Sequence, residues 1–146
     1  MLYAEDEEDD VFFMRRACAR TNFAAALKIV PDGQATVDYL AGTAPFRDRT
    51  EHPFPSVVAL DLNLPILSGL EVLRWIRLQP ELSGLVVVVL TSSNQASDLE
   101  RAYKLGANSY LLKPCVPAEF EALVLSLYDY WFVRNQRPPS LGRDRV

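Results

Sequence analysis

Four charged side chains and one hydroxyl follow directly on short apolar runs. Glu5 and Asp6 come after residues 2–4, Asp61 after 56–60, Thr91 after 85–90, and Lys113 after 109–112. Three carboxylates brought together raise one another's pKa unless a cation joins them. Hard oxygen donors with access to water suit Mg²⁺, which takes few protein carboxylates and keeps several waters. A carboxylate left free in such a site can attack phosphorus, since aspartate is an established phosphoryl acceptor. The metal, the Lys113 ammonium and the Thr91 hydroxyl then match the three oxygens over which a phosphoryl group spreads its charge. The chemistry these residues suit is phosphoryl transfer to an aspartate.

That chemistry requires elements that bring four strand ends to one edge. Residues 2–4, 27–30, 56–60, 85–90 and 109–112 read as strands, and the continuous Leu/Val run of 85–90 suits a strand buried on both faces. Helical patterns lie between them. One covers 11–20; a second runs to 40 with Asp32 as its N-cap. A third, over 70–78, opens on the capping-box spacing Ser68-Gly69-Leu70-Glu71, and a fourth opens on Ser97-Asp98-Leu99-Glu100. The fourth ends at Gly106, in the position of a C′ glycine, and the last helix covers 117–133. Strand then helix, five times, predicts an α/β fold with a parallel sheet covered on both faces. All the carboxyl ends then share one edge, where open α/β sheets form ligand sites.

One domain over 1–133 and a polar, Pro-containing tail over 134–146 account for the chain, the tail being expected loose or ordered by a partner. The first strand is short enough to predict a longer native start. A net charge of −4 argues against nucleic acid as partner, since duplex-DNA binders carry a basic face. No apolar run reaches the roughly 18 residues a membrane span needs. Cys18 and Cys115 lack metal-ligand spacing, and two lone thiols point to a reducing cytoplasm. His52, in a Pro-rich loop, reads as a plain surface residue and not as a phosphodonor.

The segments Glu5-Asp6, Leu60-Asp61-Leu62-Asn63-Leu64-Pro65 with Gly69, Leu90-Thr91-Ser92, Gly106-Ala107 and Lys113-Pro114 occur in that order, each at its strand end. Together they resemble the receiver domains of two-component response regulators over nearly the whole chain. The resemblance implies a flavodoxin-like (βα)5 three-layer sandwich with strand order 2-1-3-4-5. It implies Asp61 as phosphoacceptor and Mg²⁺ as cofactor, ligated by Asp6, Asp61 and the backbone carbonyl of Asn63, with Glu5 acting through water. Lys113 would pair with the phosphoryl group, Thr91 and Tyr110 would form the switch, and Lys113–Pro114 would be cis. A sensor histidine kinase or a phosphotransfer protein would supply the phosphate, meeting the first helix near Phe12-Phe13. Within the acidic run, Glu7, Glu8 and Asp9 read as a solvated helix start. The long connection 42–55, pinned by Phe46 and Phe54, resembles that of small single-domain regulators beside phytochrome-type and hybrid sensor kinases. With no output domain following, the signal would pass by protein–protein interaction or phosphorelay.

Two apolar stripes mark the last helix. Phe120, Leu123, Leu127 and Trp131 form the expected core face, while Leu125, Tyr128 and Phe132 form a second. An exposed second stripe marks an interface, so a homodimer through the fifth helix and its extension is predicted, with 134–139 reaching the partner. Two enzymatic readings compete. A phosphohydrolase of the haloacid-dehalogenase type needs a second acid two residues after its nucleophile, where Asn63 stands. A nucleoside triphosphatase needs a Gly-x-x-x-x-Gly-Lys loop, which is lacking. The reading is therefore a phosphoacceptor switch, not an enzyme with external substrates; a pseudo-receiver that binds partners without phosphate would not need the full set of site residues.

Overall fold

The computed structural model describes residues 1–137. Five strands and five helices alternate: β1 (Leu2–Ala4), α1 (Glu8–Ala19), β2 (Lys28–Val30), α2 (Gly33–Ala41), β3 (Val57–Leu60), α3 (Gly69–Leu78), β4 (Val86–Thr91), α4 (Ala96–Lys104), β5 (Ser109–Leu112) and α5 (Pro117–Tyr128). A π-helical turn, Asp129–Arg134, extends α5. The strands are parallel in the order β2-β1-β3-β4-β5, which is the flavodoxin-like arrangement expected.

Alternation along the central strands divides the core in two, because successive side chains leave a strand on opposite faces. Val58, Leu60, Val87 and Val89 pack with Leu40, Leu73, Ile76 and Ala102 beneath α2, α3 and α4. Val57, Ala59, Val88 and Leu90 pack with Met14, Cys18, Phe120 and Val124 beneath α1 and α5. Local signals set several helix ends as predicted. Asp32 accepts the Ala35 amide at 2.6 Å, Ser68 and Glu71 close a full capping box, and Gly106 takes φ +94°.

Other expectations are corrected. α1 begins at Glu8 rather than residue 11, its first turn made of Glu8, Asp9 and Asp10, acids that the helix dipole favours there. α4 begins at Ala96, with Ser97 inside the first turn and no side-chain cap. Ser93 Oγ instead donates to Asp98 Oδ2 at 2.6 Å, bracing that turn from outside. The cis peptide among the described residues is Ala44–Pro45, and Lys113–Pro114 is trans. An X–Pro bond separates its isomers by only about 1 kcal/mol, so the dipeptide permits either.

The expected exposed stripe on α5 is largely filled from within. Phe23, carried by the turn after α1, lies 5.4 Å from Tyr128 and 4.3 Å from Phe132, ring centre to ring centre. Arg137 covers Phe132 at 4.9 Å and donates to Ser56 Oγ at 2.6 Å. So the extension, as far as Arg137, returns to its own domain; the predicted tail residues 138–146 lie outside the described residues. Leu125 is half-buried. The π-helical turn displaces the stripe, leaving Tyr130 and Val133 as the exposed apolar residues there.

Phe46 and Phe54 do pin the long 42–56 connection to the body. Arg49 secures it further. Its guanidinium donates to the Tyr39 carbonyl at 2.8 Å, to Leu40 at 3.1 Å and to His52 at 3.2 Å. His52 is not a plain surface residue. It stands edge-on to Phe46 and Tyr39 in an aromatic cluster.

Candidate functional site

β1, β3 and β5 each carry their pairing one residue past their ends. The Glu5 amide donates to Val30 at 3.0 Å, that of Asp61 to Ala4 at 3.2 Å, and that of Lys113 to Thr91 at 2.8 Å. Backbone bonds thus fix the starting points of Glu5, Asp61 and Lys113 on one edge. The loop after Asp61 is drawn tight over α3 by Gly69, whose amide donates to the Leu62 carbonyl at 2.9 Å. A Cβ on Gly69 would lie 2.1 Å from the Asp61 carbonyl oxygen, so only glycine fits.

The Lys113 ammonium is nearly sealed from solvent and is shared by three carboxylates. Asp10 Oδ2 lies at 2.9 Å, Asp61 Oδ2 at 3.0 Å, and Glu5 Oε2 makes a close ion pair. Burial opposes the charge on Lys113, but the hydrogen bonds to Asp10 and Glu5 and the charge of Asp61 outweigh it and hold its pKa above the ordinary value. Glu5 is fully buried, and burial raises its pKa although Lys113 and the Glu7 amide pull the other way. Its Oε1 accepts the amides of Asp6 and Glu7 at 3.1 and 3.0 Å, and its Oε2 accepts the Tyr3 hydroxyl at 3.0 Å. Burial and the Glu5 carboxylate together push the Tyr3 phenol far up, keeping it a donor.

Carboxylate oxygens of Glu5, Asp6 and Asp61 lie within 4.8 Å of one another. Asp6 is exposed while the other two are buried. A set of hard oxygens with one open side fits a divalent cation that keeps water ligands. Asn63 follows on the exposed side of the loop, its amide donating to Asp61 Oδ1 at 3.3 Å.

Thr91 and Tyr110 meet through Ser93. The Thr91 hydroxyl oxygen accepts the Ser93 amide at 3.3 Å, and the Tyr110 hydroxyl donates to the Ser93 carbonyl at 2.9 Å. With Asp98 on its Oγ, Ser93 ties both predicted switch residues to the first turn of α4. That helix is lightly anchored, with Ala102 its one buried residue.

The predicted site residues Glu5, Asp6, Asp61 and Lys113 are brought together, and Thr91 and Tyr110 are linked on the neighbouring loop. Three residues take parts that sequence reading did not assign to them. Asp10 closes the acidic run that begins at Glu5 and lies in the first turn of α1, a position that could have flagged it. Ser93 as a junction needs the tertiary structure. Ile66, 74% exposed in the loop after Asp61, takes φ +71°, a conformation that is strained for a β-branched residue and of the kind found beside functional sites. Of the two adjacent phenylalanines, Phe13 packs on Phe120 and Phe12 faces solvent.

Residues 1–125 match the family described as response regulator receiver domain. The chain is 35% identical to the probable methanogenesis regulatory protein FilR2 of Methanothrix harundinacea, over 94% of this chain and 86% of that protein. It is similar in structure to the phosphorylated cyanobacterial phytochrome response regulator RcpA, with a TM-score of 0.87, 28% identity, and coverage of 94% and 96% of the two chains. The Mn²⁺-bound form of response regulator Rcp1 superposes with a TM-score of 0.85 at 30% identity, covering 94% and 96%. The acidic trio at the sheet edge offers the kind of donor set a divalent cation takes, and Rcp1 is a similar protein whose structure holds Mn²⁺. The chain belongs to the response regulator receiver domains, the phosphoacceptor switches of two-component signalling.

Proposed function

We propose that Asp61 takes a phosphoryl group from a sensor histidine kinase in a Mg²⁺-dependent reaction, and that the chain turns over no external substrate. The observation that carries this reading is the Lys113 ammonium held 3.0 Å from the Asp61 carboxylate within a cluster of acids. In the reaction an Asp61 oxygen attacks phosphorus, the bond from phosphorus to the donor nitrogen breaks, and its electron pair returns to the imidazole. Asp6, Asp61 and the Asn63 carbonyl would hold Mg²⁺, with Glu5 acting through water. The ion's chemistry there is neutralisation of charge on the phosphoryl oxygens. Lys113 binds one of those oxygens and Thr91 turns inward to another. Because Ser93 joins Thr91 and Tyr110 to α4, that inward turn tugs on a loosely held helix and alters the face it offers to partners.

A phosphohydrolase remains disfavoured, since Asn63 stands where such enzymes carry their acid. The likeness to RcpA supports a phytochrome-type or hybrid kinase as donor. The free thiols of Cys18 and Cys115 support a cytoplasmic setting. Exposed Tyr130 and Val133, beside half-buried Leu125, support a homodimer through the extension of the fifth helix, in place of a face built on Tyr128 and Phe132. An unchanged mass for Tyr130→Ser/Val133→Ser on a sizing column would count against that dimer.

Incubation with Mg²⁺ and acetyl phosphate should give a base-labile adduct of one phosphoryl mass. No adduct, or one that survives Asp61→Asn, sinks the acceptor assignment. Repeated turnover of a small phosphomonoester would favour the hydrolase instead.

A further inference from the structure

An ammonium has three N–H donors, and Glu5, Asp10 and Asp61 take all three on Lys113. Lys113 must therefore release one carboxylate before it can bind a phosphoryl oxygen. Glu5 and Asp61 share their charge with the metal pocket, whereas Asp10 lies outside that trio, at its partly exposed rim. Among the described residues Lys113 is the one cation paired with Asp10, so its hold persists when a cation binds the others. Its negative charge also faces an incoming anionic donor.

We propose that Asp10 is a positioning residue that competes with the phosphoryl group for Lys113 and so slows phosphate uptake by Asp61. The assignment rests on Asp61 as acceptor. Removing Asp10 leaves Lys113 seated between two buried carboxylates with one donor free. The same removal takes a negative charge from beside the metal pocket. Phosphate uptake and cation affinity are thus predicted to move in opposite directions, which a damaged or loosened site would not produce.

The test compares wild type with Asp10→Asn, Asp10→Glu and Asp9→Asn in the full chain, the last a control for net charge at an exposed neighbour. Asp10→Asn should speed phosphorylation by acetyl phosphate at saturating Mg²⁺ about fivefold, the effect of one charge a few Å away in a solvated site. Its affinity for Mn²⁺ alone, read by water-proton relaxation, should fall by a similar factor or less. Asp10→Glu should stay close to wild type, and Asp9→Asn within about twofold of it. Uptake in Asp10→Asn that is unchanged, slower, or matched by Asp9→Asn overturns the proposal. So does a Mn²⁺ affinity that fails to fall. Wild type that takes up no phosphate sinks the acceptor reading instead, and the Mn²⁺ comparison then judges Asp10 by itself.

Discussion

Lys113 and Arg49 are two cations that each donate to three oxygens among the described residues, and those oxygens differ in kind. Arg49 donates to the neutral carbonyls of Tyr39, Leu40 and His52, while Lys113 faces the carboxylates of Glu5, Asp10 and Asp61. Arg49 supplies donors to carbonyls at the end of α2 and in the loop, where its planar fork matches several acceptors at once. These three carbonyls carry no net charge, so they set up no excess of negative charge for an added ion to meet. Around Lys113 one positive charge meets three negative ones, with Asp6 adding a fourth nearby. That imbalance is tolerable only with water, a metal or protonation close by. The loop's cation meets neutral acceptors, while the cation of the sheet edge is outnumbered by acids.

The largest test of this contrast is Lys113→Met. Stripping the cation from buried carboxylates should cost about 3–5 kcal/mol in urea unfolding without metal, and Mg²⁺ should recover a good part of it. It should also abolish most phosphate uptake. A cost under about 1 kcal/mol, or one indifferent to Mg²⁺, would erase the distinction between the two cations. Arg49→Ala comes next, with an expected loss of about 2–3 kcal/mol from carbonyls left without donors. That loss should be the same with or without Mg²⁺, and phosphate uptake should stay at the wild-type rate. Arg49→Lys should restore less than half of it, because an ammonium cannot reproduce the fork.

The smallest effect concerns pH. Glu5 has its folded-state pKa raised from 4.5 by burial, against the pull of Lys113. A carboxyl raised on folding binds its proton more tightly in the folded state. Its contribution to stability is therefore full below pH 4.5 and is lost as pH rises through the higher folded value. Metal-free wild type should lose stability over that window relative to Glu5→Gln, and Mg²⁺ should flatten the difference. Parallel pH profiles for the two proteins without metal would remove Glu5 as the source of unbalanced charge.

Much of this site was legible in the residues because parallel topology converts sequence position into place. A residue directly after a parallel strand must arrive at the carboxyl edge, so Glu5, Asp61 and Lys113 converge once the strands are recognised. Asp6 follows from its neighbour. Short-range caps were equally readable, as Asp32 and the Ser68–Glu71 box show, since donor and acceptor sit within one turn. The box at Ser97 failed for the converse reason. Ser93, held by Tyr110 from 17 residues away in sequence, braces Asp98 and starts the α4 turn earlier.

Thus the sequence alone determined the order of elements, the sheet edge that carries the chemistry and the four charged residues at its heart, each a consequence of local pattern and strand direction. Tertiary structure decided what depends on approach between distant segments. It set Asp10 on Lys113, 103 residues away, and closed Phe23 over Tyr128 and Phe132. It also turned Arg49 back onto α2. Side chains that reach across the fold are chosen by packing and charge at the meeting point, and neither is written in the spacing of one segment.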